Sequence, residues 1–224
     1  MPGPAVIHTI FGPVTTAPAA PPAQPLPDPL PVDRSVLDDL VAGRHPQPRD
    51  VLGPHPHEGA VTVRVYKPLA KSVVVRTAAG ATAELSHEHD GVWAGVLPGG
   101  EVPDYRLLVT YDGHEVELDD PYRFSRSVGD LDLHLVGEGR HERLWDALGA
   151  HVRTHPVGET GTSFAVWAPH ALGVRLKGDF NSWDGREHPM SNVGNGVWEL
   201  FVPGVGAGTS YKFVVLGQDG TWRE

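Results

Sequence analysis

The sequence predicts an all-β protein of two tandem immunoglobulin-like β-sandwiches, with a short linking helix and a disordered, proline-rich N-terminal leader. Three observations carry this prediction. Segments in which apolar and polar residues alternate dominate from about residue 60. The chain contains 27 glycines and 22 prolines, which is typical of a protein rich in turns. Short sequence motifs of the first half of the chain, called landmarks below, recur in the second half in the same order.

The sequence divides into four parts. Residues 1–34 form the leader, which holds ten of the 22 prolines and is therefore expected to stay extended and disordered. Residues 35–136 form the first sandwich with a leading helix, residues 137–155 a helical linker, and residues 156–224 the second sandwich.

Two short helices are predicted. The first begins at Ser35 as N-cap and ends at Gly43, and we expect it to pack on the first sandwich. The second lies in the linker, where Leu144, Trp145 and Leu148 share one helical face and are expected to wedge between the sandwiches.

The strands of the first sandwich are short and alternating, and glycine, proline and Asp-Gly turns separate them. They are predicted at residues 61–66, 73–75, 91–97, 104–111 and 114–118.

The internal repeat is the most informative pattern in the chain. The offset between the copies grows only from 101 to 107 residues, so five pairs of landmarks keep their order. In the first copy a further strand follows Asp112-Gly113, whereas the chain stops four residues after Gly220. We therefore expect a fragment of a longer polypeptide whose second sandwich is cut short. The paired segments are 61–70 with 162–171, 91–93 with 196–198, 97–99 with 202–204, 105–107 with 211–213, and 112–113 with 219–220.

The composition excludes several kinds of protein. The 224 residues include no cysteine, which rules out disulfides, thiolate metal sites and cysteine nucleophiles and favours a cytoplasmic location. With 18 basic and 28 acidic residues the net charge is −10, which argues against nucleic acid and anionic membranes as partners. No apolar run approaches the ~20 residues of a membrane span.

The side chains that could carry catalysis or bind metal have structural interpretations. The pairs His55/His57 and His87/His89 lack a third ligand and are expected in surface loops. The adjacent carboxylates Asp119 and Asp120 point to different sides of the backbone and are expected in a turn. We therefore expect no catalytic residue, no metal site and no cofactor.

Three residues of the second copy predict a carbohydrate-binding surface: Trp183, Lys212 and Trp222. Trp183 lies in a polar loop, Trp222 follows the Asp-Gly turn, and alternation along residues 211–215 turns Lys212 outward. A pyranose ring has an apolar C–H face that stacks on an indole and hydroxyls that hydrogen-bond to lysine. The alternative is that Trp183 folds back on its own sandwich or packs against a part of the protein beyond residue 224.

The same segments carry a family resemblance. The chain over residues 35–224 resembles the N-terminal region of bacterial 1,4-α-glucan (glycogen) branching enzymes of actinobacterial type. Its second sandwich resembles family 48 carbohydrate-binding modules. The matching segments are LVAGRHPQPRDVLGPHP at 40–56, DLHL at 132–135, EGRHERLWDALGAH at 138–151, SFAVWAP at 163–169 and GDFNSW at 178–183.

The resemblance implies a role for this chain. In such modules the positions of Trp183, Lys212 and Trp222 contact α-glucan (glycogen or maltooligosaccharides). The parent enzyme would transfer α-1,4 glucan segments to α-1,6 positions with a catalytic barrel that needs at least about 200 residues of its own, for which this chain has no room. The partners implied are α-glucan and the catalytic barrel of the same polypeptide. Two alternatives stay open: purely structural spacers, or the N-terminal part of a related debranching or trehalose-releasing enzyme.

Overall fold

The computed structural model describes residues 26–224, which form fourteen β-strands and three α-helices. The helices are α1 (Arg34–Ala42), α2 (Asp130–Gly137) and α3 (Leu144–Ala147). The first seven strands are β1 (Gly53–His57), β2 (Ala60–Tyr66), β3 (Ser72–Thr77), β4 (Thr82–His89), β5 (Val92–Pro98), β6 (Tyr105–Tyr111) and β7 (His114–Leu118). The second seven are β8 (Gly149–Thr154), β9 (Thr160–Trp167), β10 (Gly173–Gly178), β11 (Ser191–Gly194), β12 (Val197–Pro203), β13 (Tyr211–Leu216) and β14 (Trp222–Arg223).

Both halves of the chain use one strand order, and all pairs are antiparallel. In the first half the order is β1-β2-β5-β4-β3-β6-β7, and in the second half the layers are β8-β9-β12-β11 and β10-β13-β14. Each strand of the second half thus occupies the place of its counterpart seven strands earlier. The long strand β4 pairs with both β3 and β5 and so joins the two layers of the first half. The prediction of two all-β sandwiches is confirmed.

The core of the first sandwich lies between its two layers. Val61, Val63 and Val65 alternate along β2 and share a buried cluster with Val73 and Val75 of β3. Because β2 and β3 are not neighbours in the sheet, these valines pack face to face.

The repeated landmarks meet at one corner of each sandwich. In the second sandwich the Trp198 indole donates to the Ala168 carbonyl at 3.0 Å, and the Ala168 amide donates to Gly196 at 2.8 Å. In the first sandwich Trp93 bonds to the Lys67 carbonyl in the same way, at 3.2 Å. The residues that revealed the repeat are therefore those that tie the start of β5 or β12 to the end of β2 or β9.

The predicted leader requires a correction at its described end. Residues 1–25 lie outside the described part of the chain, but residues 26–34 contact the first sandwich. The Leu30 amide donates to Thr62 Oγ1 at 3.0 Å, and the buried Arg64 donates to the Leu30 carbonyl at 2.6 Å. Among the described residues, the other hydrogen-bond partner of the Arg64 guanidinium is Glu88.

Helix α1 has Asp33 as its N-cap, two residues before the predicted cap Ser35, and lies between the two sandwiches. Gly43, at φ 74°, ends it in the left-handed conformation, as the sequence predicted. Its buried residues Leu37 and Leu40 join a cluster that includes Phe164 and Leu176 of the second sandwich. Alternation along the chain could not reveal this, because the partner strands come more than 100 residues later.

The linker also differs from the prediction. Helix α3 has four residues, and the side chains of Leu144 and Trp145 are exposed instead of wedged between the sandwiches. Gly139, at φ 66°, ends the preceding helix α2 and interrupts the predicted helix. Strand β8 occupies part of the range assigned to the linker and pairs with β9.

Buried polar contacts connect the two sandwiches. Lys67 of the first sandwich reaches Glu187 of the second, with Nζ and Oε2 2.6 Å apart. The buried Tyr122 hydroxyl donates to the Pro189 carbonyl at 2.8 Å. The two sandwiches therefore share an interface held by specific hydrogen bonds.

Candidate functional site

The second sandwich brings two of the predicted residues to one concavity. Trp183 comes from the loop after β10, Trp222 begins β14, and both line a cavity of about 260 Å³. We call it the Trp183 concavity, and its other lining residues are Arg175, Lys177, Asp184, Gly185, Arg186 and Val214. Lys212 lies on the same sheet face, since it stands two residues before Val214 on β13, but just outside the concavity.

The loop that carries Trp183 is held by short-range hydrogen bonds. Ser182 and Trp183 both have left-handed backbones, at φ 53° and 61°, which cost free energy for residues with a Cβ. Asp179 compensates: its Oδ1 accepts from Trp183 Nε1 at 3.1 Å, and its Oδ2 accepts from the Ser210 amide at 2.9 Å. Asn181 bonds the Gly178 amide and the Leu176 carbonyl. The Trp183 indole is thus oriented in advance, with 42% of its surface exposed.

Trp222 is supported by an arginine from the neighbouring part of the sheet. The Arg175 guanidinium carbon lies 4.4 Å from the centre of the Trp222 ring, a cation–π contact. Arg175 in turn donates to the Val41 carbonyl at the end of α1, at 3.0 Å. One face of the indole is therefore covered by a fixed side chain.

The charges beside the concavity are largely compensated. Lys177 and Lys212 are partners across β10 and β13, and both contact Glu224. These two lysines, Lys177 first, lower the pKa of the Glu224 carboxyl to about 2. Lys212 Nζ gives one of its three N–H donors to Glu224 at 2.8 Å, which leaves the others for a ligand.

Sequence reasoning missed several residues of this site: Arg175, Lys177, Val214 and Glu224 lie beside the predicted three. The signal was present along β10, where buried Val174 and Leu176 alternate with Arg175 and Lys177. Alternation on one strand does not reveal which other strand faces it, so the site could not be assembled from sequence.

The corresponding face of the first sandwich is built differently. The residue that matches Lys212 in the repeat is Arg106, which lies within 3.3 Å of each of the carboxylates Asp104, Asp119 and Glu159. The loop that matches the Trp183 loop, residues 76–81, contains no aromatic residue. The aromatic concavity therefore belongs to the second sandwich.

The histidines have structural roles, but not as surface loops. His55 and His57 lie in β1, and His87 and His89 in β4. His89 is buried and bonds Asp38 at 2.8 Å. Within residues 26–224 no group of three or more histidine or carboxylate side chains could hold a metal ion. Over the same residues no helix is long and apolar enough to cross a membrane.

His188 lies beneath the Trp183 loop and gives the fold a pH dependence. Burial, followed by the charge of Lys67, lowers the pKa of His188 from 6.5 to about 3. Between pH 6.5 and about pH 3, the unfolded chain therefore binds a proton at His188 that the folded chain does not bind. The resulting stability is complete above pH 6.5 and is lost as the pH falls toward 3.

We expect His188 to account for about 2 kcal/mol of lost unfolding free energy between pH 6.5 and about pH 5. Urea unfolding at both pH values measures it. The variant His188→Gln has no titrating ring at this position, so its loss is smaller by that amount. His134→Gln, on the exposed surface of α2, serves as the control and keeps the wild-type pH dependence. Equal pH dependence in all three proteins would contradict the assignment.

Two family models match the chain. Residues 33–122 match the model described as the N-terminal domain of the alpha-1,4-glucan branching enzyme GlgB. Residues 147–224 match carbohydrate-binding module 48 (isoamylase N-terminal domain). Together the two models account for both sandwiches.

Curated relatives agree with these models. The 1,4-alpha-glucan branching enzyme GlgB of Thermobifida fusca is 58% identical over 177 residues, which cover 77% of this chain and 24% of the relative. GlgB of Kitasatospora aureofaciens is 54% identical over 182 residues, 81% of this chain and 24% of the relative. The chain thus spans about a quarter of the length of these relatives. Among solved structures, a maltotriose complex of pullulanase from Anoxybacillus sp. LM18-11 matches 76% of this chain and 24% of its own. It does so at 17% identity and a TM-score of 0.30.

Proposed function

Because residues 33–122 belong to the family of GlgB N-terminal domains and residues 147–224 to carbohydrate-binding module 48, we propose that this chain binds α-glucan at the Trp183 concavity. The observation that carries the proposal is the meeting of Trp183 and Trp222, from two separate elements, in one concavity beside Lys212. Indole faces suit the apolar faces of glucose rings, and the free N–H donors of Lys212 suit their hydroxyls.

The whole protein would be a 1,4-α-glucan branching enzyme of glycogen synthesis. It would cleave α-1,4 links and rejoin the released segment through an α-1,6 link on a catalytic domain outside these residues. The role of the present chain would be to hold the polymer near that domain and so raise its local concentration. The absence of cysteine is in keeping with a cytoplasmic location.

A second role, support of the catalytic domain, has an observation of its own. Large apolar side chains are exposed on α2, on the linker and at the end of β9, which is typical of surfaces that contact another domain. They are Leu131, Leu144, Trp145 and Trp167. The debranching and trehalose-releasing alternatives are set aside because the first sandwich matches the GlgB domain specifically.

The binding proposal is tested by substitution in the concavity. We expect Trp183→Ala and Trp222→Ala each to weaken binding of maltoheptaose by about 10- to 30-fold, because each removes a stacking face. Titration calorimetry and electrophoresis through glycogen-containing gels measure the effect.

The matched control is Trp145→Ala, an equally large exposed indole (66% exposed) that lies outside the concavity. It should bind like the wild type. The proposal is wrong if the wild type binds and both concavity variants retain its affinity while keeping its circular dichroism spectrum.

A further inference from the structure

A larger groove runs between the two sandwiches on the other side of the Trp183 loop. Its volume is about 720 Å³, and both sandwiches contribute to it. Tyr111 and His114 line it from the first sandwich, and Phe180 and Ser182 line it from the second. We call it the inter-sandwich groove.

This groove and the Trp183 concavity lie on opposite sides of one loop. Asp184 lines both, and the loop from Phe180 to Asp184 forms the wall between them. Within this wall Trp183 faces the concavity, whereas Ser182 lines the groove. A polymer that lies on Trp183 therefore needs to cross a single loop to enter the groove.

The charged groups of the groove are already paired. On its floor, Lys67 Nζ lies 2.6 Å from Glu187 Oε2, and the Tyr111 hydroxyl donates to Glu187 Oε1 at 3.3 Å. Asp184 is held by the Arg186 guanidinium at 2.6 to 3.0 Å. An ionic ligand would gain little here, because each of these charges has its partner.

The remaining surface of the groove suits a neutral ligand with apolar faces and hydroxyl groups. The rings of Tyr111 and His114 lie beside each other, with centroids 5.9 Å apart and planes inclined by 33°. The side chain of Leu69, 59% exposed, supplies an apolar wall. The Ser182 hydroxyl and the exposed Lys71–Asp112 pair can hydrogen-bond at the rim.

We infer that the inter-sandwich groove is a second α-glucan subsite next to the Trp183 concavity, so that one glucan chain crosses the loop from Phe180 to Asp184 and contacts both sandwiches. The inference rests on the proposed function. Once a chain is held at Trp183, its continuation meets the groove at a high effective concentration. Affinity should therefore rise with chain length beyond what the concavity alone provides.

The test is a series of maltooligosaccharides from maltotriose to chains of about 15 glucose units, titrated calorimetrically into the 224-residue chain. For the wild type we expect affinity per chain to rise by about tenfold or more along the series. The double variant Leu69→Ala/His114→Ala should bind maltotriose like the wild type but lose about fivefold to tenfold in affinity for the long chains. Both substituted side chains are exposed, so the fold should be unaffected.

Two controls separate the possible results. Glu115→Ala changes the neighbour of His114, an exposed residue that does not line the groove, and should leave the length dependence unchanged. Trp183→Ala should weaken binding at every length. If the sugars bind and the double variant keeps the wild-type length dependence, the groove is not a subsite and the proposed function stands. If no sugar of any length binds the wild type, the proposed function and this inference are both wrong.

Discussion

Replacement of Glu199 by alanine is expected to lower the free energy of unfolding by about 3–5 kcal/mol. Glu199 lies on β12 with none of its surface exposed. Its Oε2 accepts from the amides of Ser127 and Val128 at 2.7 and 3.1 Å, which fastens the segment before α2 to the second sandwich. Its Oε1 faces Arg49 Nη2 at 3.6 Å, too far for a hydrogen bond but close enough for an ion pair.

The expected loss of unfolding free energy is large because alanine leaves hydrogen-bond donors and a positive charge without their partner. The buried Val128 amide and the half-buried Ser127 amide lose their acceptor. The Arg49 guanidinium, whose pKa burial already lowers, loses the charge that opposes this shift. Urea denaturation followed by circular dichroism measures the loss. Glu199→Gln keeps an oxygen acceptor and loses the charge, so it should fall between wild type and alanine.

The control for Glu199 is Glu101→Ala, which removes an exposed carboxylate between β5 and β6 and should change stability by less than about 0.5 kcal/mol. If Glu199→Ala has an effect as small as that of the control, the segment before α2 is not held by this carboxylate.

Replacement of Gly196 by alanine is expected to cost about 3 kcal/mol, the second of the large effects. Gly196 has φ 77°, and a Cβ built on it would lie 2.6 Å from the Pro169 Cα. Both the left-handed backbone and the overlap with backbone atoms oppose any side chain. The overlap would also separate Ala168 from Gly196 and Trp198, which bond at this corner.

Gly204 provides the matched control, because it has a similar φ of 72° and open space where its Cβ would stand. Gly204→Ala should therefore cost about 1 kcal/mol, from backbone strain alone. Thermal or urea unfolding of the two variants gives the difference. Equal losses would mean that the contact with Pro169 contributes nothing.

The fold was predictable from sequence to the extent that its determinants are local. Alternation and turn residues identify the strands, and the repeated proline, glycine and tryptophan landmarks identify two copies because each set closes the same corner. The linker was not predictable in the same way. The apolar stripe at Leu144 and Trp145 favours a helix, but Gly139 divides the segment and β8 pairs with β9.

The candidate site was likewise predictable from sequence only in part. Trp183 and Trp222 stand out as tryptophans in polar surroundings, and alternation turns Lys212 outward, so all three were predicted. Arg175 and Lys177 were missed because their relation to Trp222 and Lys212 depends on which strands become neighbours. The inter-sandwich groove was beyond sequence reasoning, since its walls come from two units whose interface depends on contacts such as Lys67–Glu187.

The hydrogen bond from Arg175 to Val41 joins residues 134 positions apart in the sequence. Arg175 is the side chain that supports Trp222, so this platform is complete only when helix α1 has docked. Contacts of such high contact order close more slowly than hairpins such as β6–β7. The Trp183 concavity should therefore form late in folding, after most of the secondary structure has formed.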